Sequence, residues 1–240
     1  MPNDYFQFKQ FKIRQAKSAM KVCTDSCLFG AYVADKIEQK IIQPKRILDI
    51  GAGTGLLSLM TAQKSEAIID AVEIDEGSFI QTKENFLESA WSQRLQVFHT
   101  DIKRWNAPDK YDFIVSNPPY FENDLRSENK NKNLAKHHDG LTFEELLCSI
   151  KEMLVADGNF AVIIPYRRIT FFKLLATQNN FYLKEELLIK QTPGHSYFRT
   201  ILFFGTKPAM VTTREFIIKN PSKNYTVDFI LLLKDYYLNL

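Results

Sequence analysis

The chain has 240 residues, 45% of them apolar and 25% charged, with a formal net charge of +3. That length and composition suit one sizeable α/β domain and exclude a disordered or fibrous chain. A charge this small neither identifies a nucleic-acid binder nor opposes one. Three cysteines, Cys23, Cys27 and Cys148, make an odd count, and the four histidines, His99, His137, His138 and His195, are scattered. Neither set has zinc-ligand spacing, so no metal is expected and the thiols read as buried structural groups. The N-terminus carries no apolar signal segment, and the run from Phe229 to Leu233 is far too short to span a bilayer. A cytoplasmic, reduced protein with no membrane partner is the expectation.

Residues 1–21 interleave Phe6, Phe8 and Phe11 with Lys9, Lys12, Arg14, Lys17 and Lys21. Such a mix serves phosphates and bases, or it anchors an arm in a core with its cations solvated. Both readings stay open. Ser26 to Ala34 reads as an amphipathic helix. The first firm strand is Arg46 to Ile50, followed at once by Gly51-Ala52-Gly53-Thr54-Gly55 and a helical Leu56 to Met60. Glycines at a strand-to-helix turn let backbone approach a ligand, and the helix start offers free N–H groups. Asp49 adds a charge suited to an amine or a hydroxyl. The loop lacks the last glycine of the dinucleotide fingerprint, because Leu56 follows Gly55. Ile68 to Glu73 is a second strand whose terminal Glu73 can take both hydroxyls of a ribose. A helix through Glu84 and Leu87 leads to a third strand, Leu95 to His99. Asp101 lies just beyond it, placed to accept an adenine's amino hydrogen.

The fourth strand, from Tyr111 to Val115, runs into Ser116-Asn117-Pro118-Pro119-Tyr120. Two successive prolines lack N–H donors and fix φ, so the strand becomes a rigid turn. The Asn117 amide oxygen and the Pro118 carbonyl suit the two hydrogens of a planar –NH2 group, with Tyr120 stacked on its face. Asp49, Glu73, Asp101 and Asn117 thus close four strands, and right-handed crossovers align them along one edge of a parallel sheet. Residues 123–140 have no hydrophobic period; with Arg126, Lys130, Lys132 and Lys136 they read as a loop beside the site, either a basic lid or simply solvated. Phe143 to Leu154 is helical, closed by Asp157-Gly158, and Phe160 to Ile164 is a fifth strand ended by Pro165. A helix near Thr170 to Gln178 precedes strands Phe181 to Lys190 and Tyr197 to Phe204. The short Thr192-Pro193-Gly194 turn makes those two antiparallel. The tail, with Phe216 to Ile218 and a helix over Asp228 to Leu238, packs back on the rest. The expected fold is a three-layer α/β domain with a mostly parallel seven-stranded sheet ending in an antiparallel hairpin. It forms one domain over 1–240, with an arm and helix over 1–44 and a C-terminal extension over 208–240.

Together these features resemble the class I S-adenosylmethionine-dependent methyltransferases, whose fold is Rossmann-like. The Asn-Pro-Pro-Tyr turn is similar to that of enzymes methylating adenine N6 or a glutamine amide. Phe8-Lys9-Gln10-Phe11, Met20-Lys21-Val22-Cys23-Thr24-Asp25, Leu48-Asp49-Ile50-Gly51-Ala52-Gly53, Asp70-Ala71-Val72-Glu73 and Asn224-Tyr225 look like the bacterial tRNA1(Val) adenine-N6 methyltransferases, the YfiC-like family. The resemblance runs nearly end to end. It implies S-adenosyl-L-methionine as cofactor and N6-methylation of the adenosine at position 37 of tRNA(Val), flipped into the pocket. It implies catalytic roles for Asn117, Pro118, Pro119 and Tyr120. It also implies a cofactor set of Lys21, Thr24, Asp49, Gly51, Gly53, Gly55, Glu73, Ile74, Asp101, Ile102 and Asn117. Lys9, Lys12 and Arg14 of the arm and Arg126, Lys130, Lys132 and Lys136 of the loop are the candidate RNA contacts. No obligate protein partner is evident. One departure is Cys23, which replaces the family glycine of Met-Lys-Val-Gly-Thr-Asp and bears on the backbone path there. Rival substrates sharing the turn are adenine in ribosomal RNA or DNA and a release-factor glutamine. The last family carries a helical domain ahead of its sheet, for which the residues before Arg46 leave little room. A non-catalytic RNA-binding module is expected to have lost Asp49, Glu73 or Asn117.

Overall fold

Phe8 and Phe11, rather than the lysines around them, decide the path of the N-terminal arm. The chain folds back as a short antiparallel pair, β1 (Tyr5–Gln7) and β2 (Lys12–Arg14). It buries Phe8, Phe11 and Ile13 in the main core. The aromatic residues of the arm are therefore core anchors. The computed structural model describes residues 4–18, 20–118 and 140–240. Apart from Gly140, the expected loop over 123–140 lies outside the described residues.

Helix α1 spans Thr24–Glu38, longer than the helix expected over 26–34. It is not amphipathic over that stretch, since every residue from Ser26 to Ala34 is buried. Helices with apolar residues all round need cover on more than one side. Here the arm's Phe8 and Phe11 and the tail's Phe229, Leu233 and Tyr236 join α1 in one core with the sheet.

Among the described residues eight strands form the central sheet: β3 (Arg46–Ile50), β4 (Ile68–Glu73), β5 (Leu95–His99), β6 (Tyr111–Ser116), β7 (Leu154–Pro165), β8 (Tyr182–Lys190), β9 (Tyr197–Gly205) and β10 (Thr212–Ile217). Their order is β10-β8-β9-β7-β6-β3-β4-β5. Strands β7, β6, β3, β4 and β5 run parallel, and β9 is antiparallel to both β7 and β8. The expected hairpin is thus present, but the sheet has eight strands rather than seven. The additional strand, β10, pairs in parallel with β8 at the edge. Its Thr212, Thr213, Arg214 and Glu215 are all exposed, so no apolar alternation marks it as a strand.

Helices α2 (Leu56–Ala62), α3 (Glu76–Leu87), α4 (Phe143–Met153), α5 (Ile169–Gln178) and α6 (Val227–Leu233) complete the layers. Alternation along β3 splits the core: Ile47 joins α1, α2 and α6 on one face, while Leu48 and Ile50 join α4 and α5 on the other. Among the described residues no helix is long and apolar enough to cross a membrane.

Two local readings need correction. Asp157-Gly158 does not close α4 but lies inside β7, where the register with β6 shifts between Leu154 and Asn159. A Cβ on Gly158 would stand 2.4 Å from Leu154 Cγ, so the bulge requires glycine. The last helix stops at Leu233 instead of reaching Leu238. Tyr236 turns inward there and donates from its hydroxyl to the Met60 carbonyl at 3.0 Å.

Candidate active site

Strand β3 stands where the chain changes direction across the sheet. From it β4 and β5 extend one way, and β6 returns on the other side. Such a switch point opens a crevice at the C-terminal strand ends. The Gly51-to-Gly55 turn forms its floor. Gly51 (φ 75°) and Gly53 (φ 60°) are left-handed, and a Cβ on either would meet nothing within 4 Å. Both keep bare backbone toward open space. Gly55 serves a different purpose, because its Cβ would stand 2.6 Å from the Phe86 ring. It lets α3 pack against the loop.

Helix α3 also holds the loop from behind. Thr82 Oγ1 donates to the Gly53 carbonyl at 2.8 Å, and Asn85 Nδ2 donates to the Thr54 carbonyl at 2.8 Å and to the Arg14 carbonyl at 3.0 Å. These two residues escape a motif search. Their signal is a pair of polar residues three apart on the buried side of a helix.

Glu73 is only 7% exposed. Its Oε2 accepts the Gly53 N–H at 2.8 Å and its Oε1 accepts the Asp75 N–H at 2.9 Å. A carboxylate has about four acceptor sites, so the group pegs the loop and keeps capacity for hydroxyls. Ile74 follows it, 65% exposed, as an apolar wall. Asp101 accepts the Lys103 N–H at 3.0 Å through Oδ1. The Ile102 side chain, by contrast, is buried in the second core, which leaves only its backbone for a ligand.

Asp49 is fully buried. Its Oδ2 accepts the Ser58 N–H at 3.2 Å and the Ser58 hydroxyl at 2.7 Å, while its Oδ1 has no hydrogen-bond partner. Burial pushes this carboxyl from 3.8 up to about 6; the Ser58 bonds oppose the rise and the Glu73 carboxylate adds to it. The folded state therefore holds a proton that the unfolded chain releases as pH rises from about 4 to about 6. Asp49's contribution to stability is complete below the lower value and lost as pH climbs through the upper one. We expect a loss of about 2–3 kcal/mol across that window, absent in Asp49→Asn. Urea denaturation of both proteins at about pH 4 and about pH 7 measures it, and equal pH dependence would refute it.

Asn117 stands at the end of β6, next to β3. Its Nδ2 donates to Ser26 Oγ at 2.8 Å, which turns the amide oxygen to the opposite edge. Ser116 Oγ donates to the Ile50 carbonyl at 2.9 Å and ties this strand end to β3. The first turn of α1 is itself clamped, with Arg199 Nε of β9 donating to Asp25 at 2.8 Å. Ser26 is thus a site residue with no motif to announce it, 91 positions from its partner. Cys23 Sγ lies 3.0 Å from the same Ser26 Oγ. Its backbone is extended at φ −133° and ψ 160°, so the side chain at the family's glycine position brings no strain. Only Cys27 of the three cysteines is buried; Cys23 and Cys148 are exposed, contrary to the expectation of buried thiols. Lys21 and Thr24 stand exposed at the entrance to α1, and Pro118 is buried. Pro119, Tyr120, Arg126, Lys130, Lys132 and Lys136 lie outside the described residues.

The arm's cations are engaged locally. Lys9 Nζ donates to the Lys234 carbonyl, Lys12 Nζ lies 5.0 Å from the centre of the Tyr5 ring, and Arg14 pairs with Glu88 at 3.0 Å.

The crevice residues fit a nucleoside with a cationic amino-acid tail. Bare glycine backbone allows close approach, Glu73 accepts hydroxyls, Asp101 accepts an amine, and the orphaned Asp49 Oδ1 awaits a donor.

The family model for the methyltransferase small domain matches residues 20–180. A tRNA1(Val) (adenine(37)-N6)-methyltransferase of Bacteroides thetaiotaomicron is 37% identical over 242 residues, covering 100% of both chains. One of the same name from Pseudoalteromonas translucida is 36% identical over 98% of this chain and 99% of its own. Among solved structures, a predicted O-methyltransferase of Agrobacterium tumefaciens superposes with a TM-score of 0.68 at 20% identity. That match covers 90% of this chain and 99% of the other. A methyltransferase of Pyrococcus furiosus gives a TM-score of 0.51 at 19% identity, over 72% and 82% of the two chains. These structural likenesses concern the fold alone.

Proposed function

Since the chain belongs to the methyltransferase small domain family, within the class I S-adenosylmethionine-dependent methyltransferases, we propose that it methylates N6 of adenosine 37 in tRNA(Val). The observation that carries this reading is Asn117, held by Ser26 at the switch point with its amide oxygen turned away from that hydroxyl. It sits two strands from Glu73, about 9–10 Å in sheet spacing, which suits an acceptor amine beside a donor ribose. Full-length likeness to two tRNA1(Val) (adenine(37)-N6)-methyltransferases supports the same substrate.

S-adenosyl-L-methionine, when bound, supplies a methyl group activated on a sulfonium. The protein's residues do the rest. Gly51 and Gly53 give it backbone room, Glu73 takes the ribose hydroxyls, and Asp101 takes the adenine amine. Adenine N6 is a poor nucleophile because its lone pair is delocalised into the ring. Asn117 Oδ1 and the Pro118 carbonyl accept its two N–H bonds and favour a pyramidal nitrogen whose lone pair can attack. Alignment by a rigid strand end then supplies much of the rate. The surplus proton leaves to solvent. Flipping the target base out of its loop costs stacking, which Tyr120 restores in this reading.

The tRNA substrate implies a cytoplasmic enzyme. The whole of 1–240 acts as one domain, a reading supported by Phe8 of the arm, Ile47 of β3 and Phe229 of the tail sharing one core. The test is incubation with radiolabelled S-adenosylmethionine and, separately, total tRNA, ribosomal RNA, DNA or release factor, followed by nucleoside and residue analysis. N6-methyladenosine at position 37 of tRNA(Val) is expected. Label in ribosomal RNA alone, or in a glutamine, would overturn the substrate.

A further inference from the structure

The donor residues occupy the β3-β4-β5 half of the crevice, so an acceptor reaches Asn117 from the half built by β7 to β10. The strand ends there are neighbours in the sheet, with a register shift between β8 and β9 at Ile189 and Lys190. Pro165 pairs with Arg199, Lys190 with Tyr197, and Ile217 with Lys190. One step further, the Lys219 N–H donates to the Gln191 carbonyl at 2.9 Å. Tyr166 and Arg167 after β7, Tyr197, Lys190 and Lys219 therefore stand along one ledge, about 14 Å across three strand spacings.

The chemistry of that ledge is specific. The Tyr166 and Tyr197 rings lie 5.1 Å apart, neither fully buried. Lys190 lies 4.5 Å from the centre of the Tyr197 ring and is neutralised by Glu215 at 2.7 Å. Arg167 is exposed, and neither it nor Lys219 has a carboxylate partner among the described residues. Two cations without carboxylate partners thus flank an aromatic pair, Arg167 exposed and Lys219 lying 5.2 Å from the centre of the Tyr225 ring. The arm is the opposite case, with Arg14 and Lys17 held by Glu88 and Glu84. Aromatic faces with cations free of carboxylates suit unstacked nucleotides, which offer both π-faces and phosphates.

We propose that this ledge docks the single-stranded nucleotides flanking the target adenosine, with Arg167 and Lys219 on phosphates and Tyr166 and Tyr197 under bases. The proposal rests on the reading of the chain as an RNA adenine methyltransferase. Its test is the affinity of the full-length protein for a tRNA(Val) transcript across a salt series. Arg167→Ala with Lys219→Ala should lower the slope of log Kd against log salt by about 1.4, or about 0.7 for each single-strand phosphate contact. Tyr166→Ala or Tyr197→Ala should weaken binding by about 5- to 150-fold and leave the slope unchanged. Arg14→Ala with Lys17→Ala should change the slope little. An unchanged slope in the Arg167 and Lys219 variant, or a loss confined to the arm variant, overturns the ledge. If the unaltered protein methylates tRNA(Val), such a result removes the ledge alone; if it methylates only another substrate, the functional reading itself fails.

Discussion

Asn117→Ala is expected to lower single-turnover methyl transfer by about 10²–10³, or about 3–4 kcal/mol, the scale seen when one preorganised polar contact to a reacting group is removed. Although the resemblance also counts Asn117 among the cofactor contacts, cofactor affinity should fall far less than turnover, because the glycine turn, Glu73 and Asp101 stand at the ends of β3, β4 and β5 while Asn117 stands at the end of β6. Alanine removes the acceptor for one amine hydrogen and leaves Ser26 Oγ without the Nδ2 donor it has at 2.8 Å. Asn117→Asp separates these two losses. It keeps an acceptor but places a carboxylate against Ser26, so it should recover part of the rate. Calorimetry with S-adenosylmethionine and rapid-quench turnover on tRNA report the two quantities independently. Turnover near the unaltered level in the alanine variant would remove the strand-end amide from the chemistry.

How far such a site is legible in a sequence depends on which contacts a residue's role requires. Arg46–Ile50, Ile68–Glu73 and Leu95–His99 appear as strands with the bounds their apolar runs suggest. β3 and β4 are buried parallel strands, so their composition reports their environment directly, while the edge strand β5 shows itself through Leu95, Val97 and Phe98, which pack on its two faces. The acids ending them are legible for the same reason, since position at a strand end follows from the run itself. β10 is not legible, because four of its residues face solvent. Helix α1 is misjudged because periodicity sees a helix against one neighbour, and its second cover comes from residues 8, 11 and 229, far off in the chain. Asp157-Gly158 fails for a related reason: the demand for glycine is set by the Leu154 side chain folding back on the strand, and not by a helix ending. The phenylalanines and lysines of the arm allow two readings until Phe8 is found fully buried and Arg14 paired with Glu88. Most hidden of all is the pairing of Asn117 with Ser26, two ordinary residues brought together only by the fold.

Glu73→Ala should be the most damaging substitution for cofactor binding, weakening it by about 3–5 kcal/mol through two lost bonds to a carboxylate. The carboxylate has two tasks in the structure, and alanine ends both. It removes the acceptors for the ribose hydroxyls, and it leaves the N–H groups of Gly53 and Asp75 without the oxygens now 2.8 and 2.9 Å away. Gly53 sits at φ 60° in a turn with three left-handed glycines, so the loop has little stiffness of its own once unpegged. Glu73→Gln tests the second task. One end of an amide is an –NH2, and it must face either the Gly53 or the Asp75 N–H, donor against donor. Glutamine should therefore cost about 1–3 kcal/mol of cofactor affinity even though one acceptor oxygen remains. Asp101→Ala should cost less than Glu73→Ala, since Asp101 holds one backbone N–H, that of Lys103, and a long ion pair with the same residue's ammonium at 3.9 Å. The readout is the S-adenosylmethionine Kd by calorimetry, with kcat at saturating cofactor as the counterpart. Because Glu73 does not touch the acceptor amine, kcat should fall far less than affinity in all three variants. Unchanged affinity in both Glu73 variants would move the cofactor elsewhere on the sheet, and a loss confined to kcat would assign Glu73 to the chemical step instead.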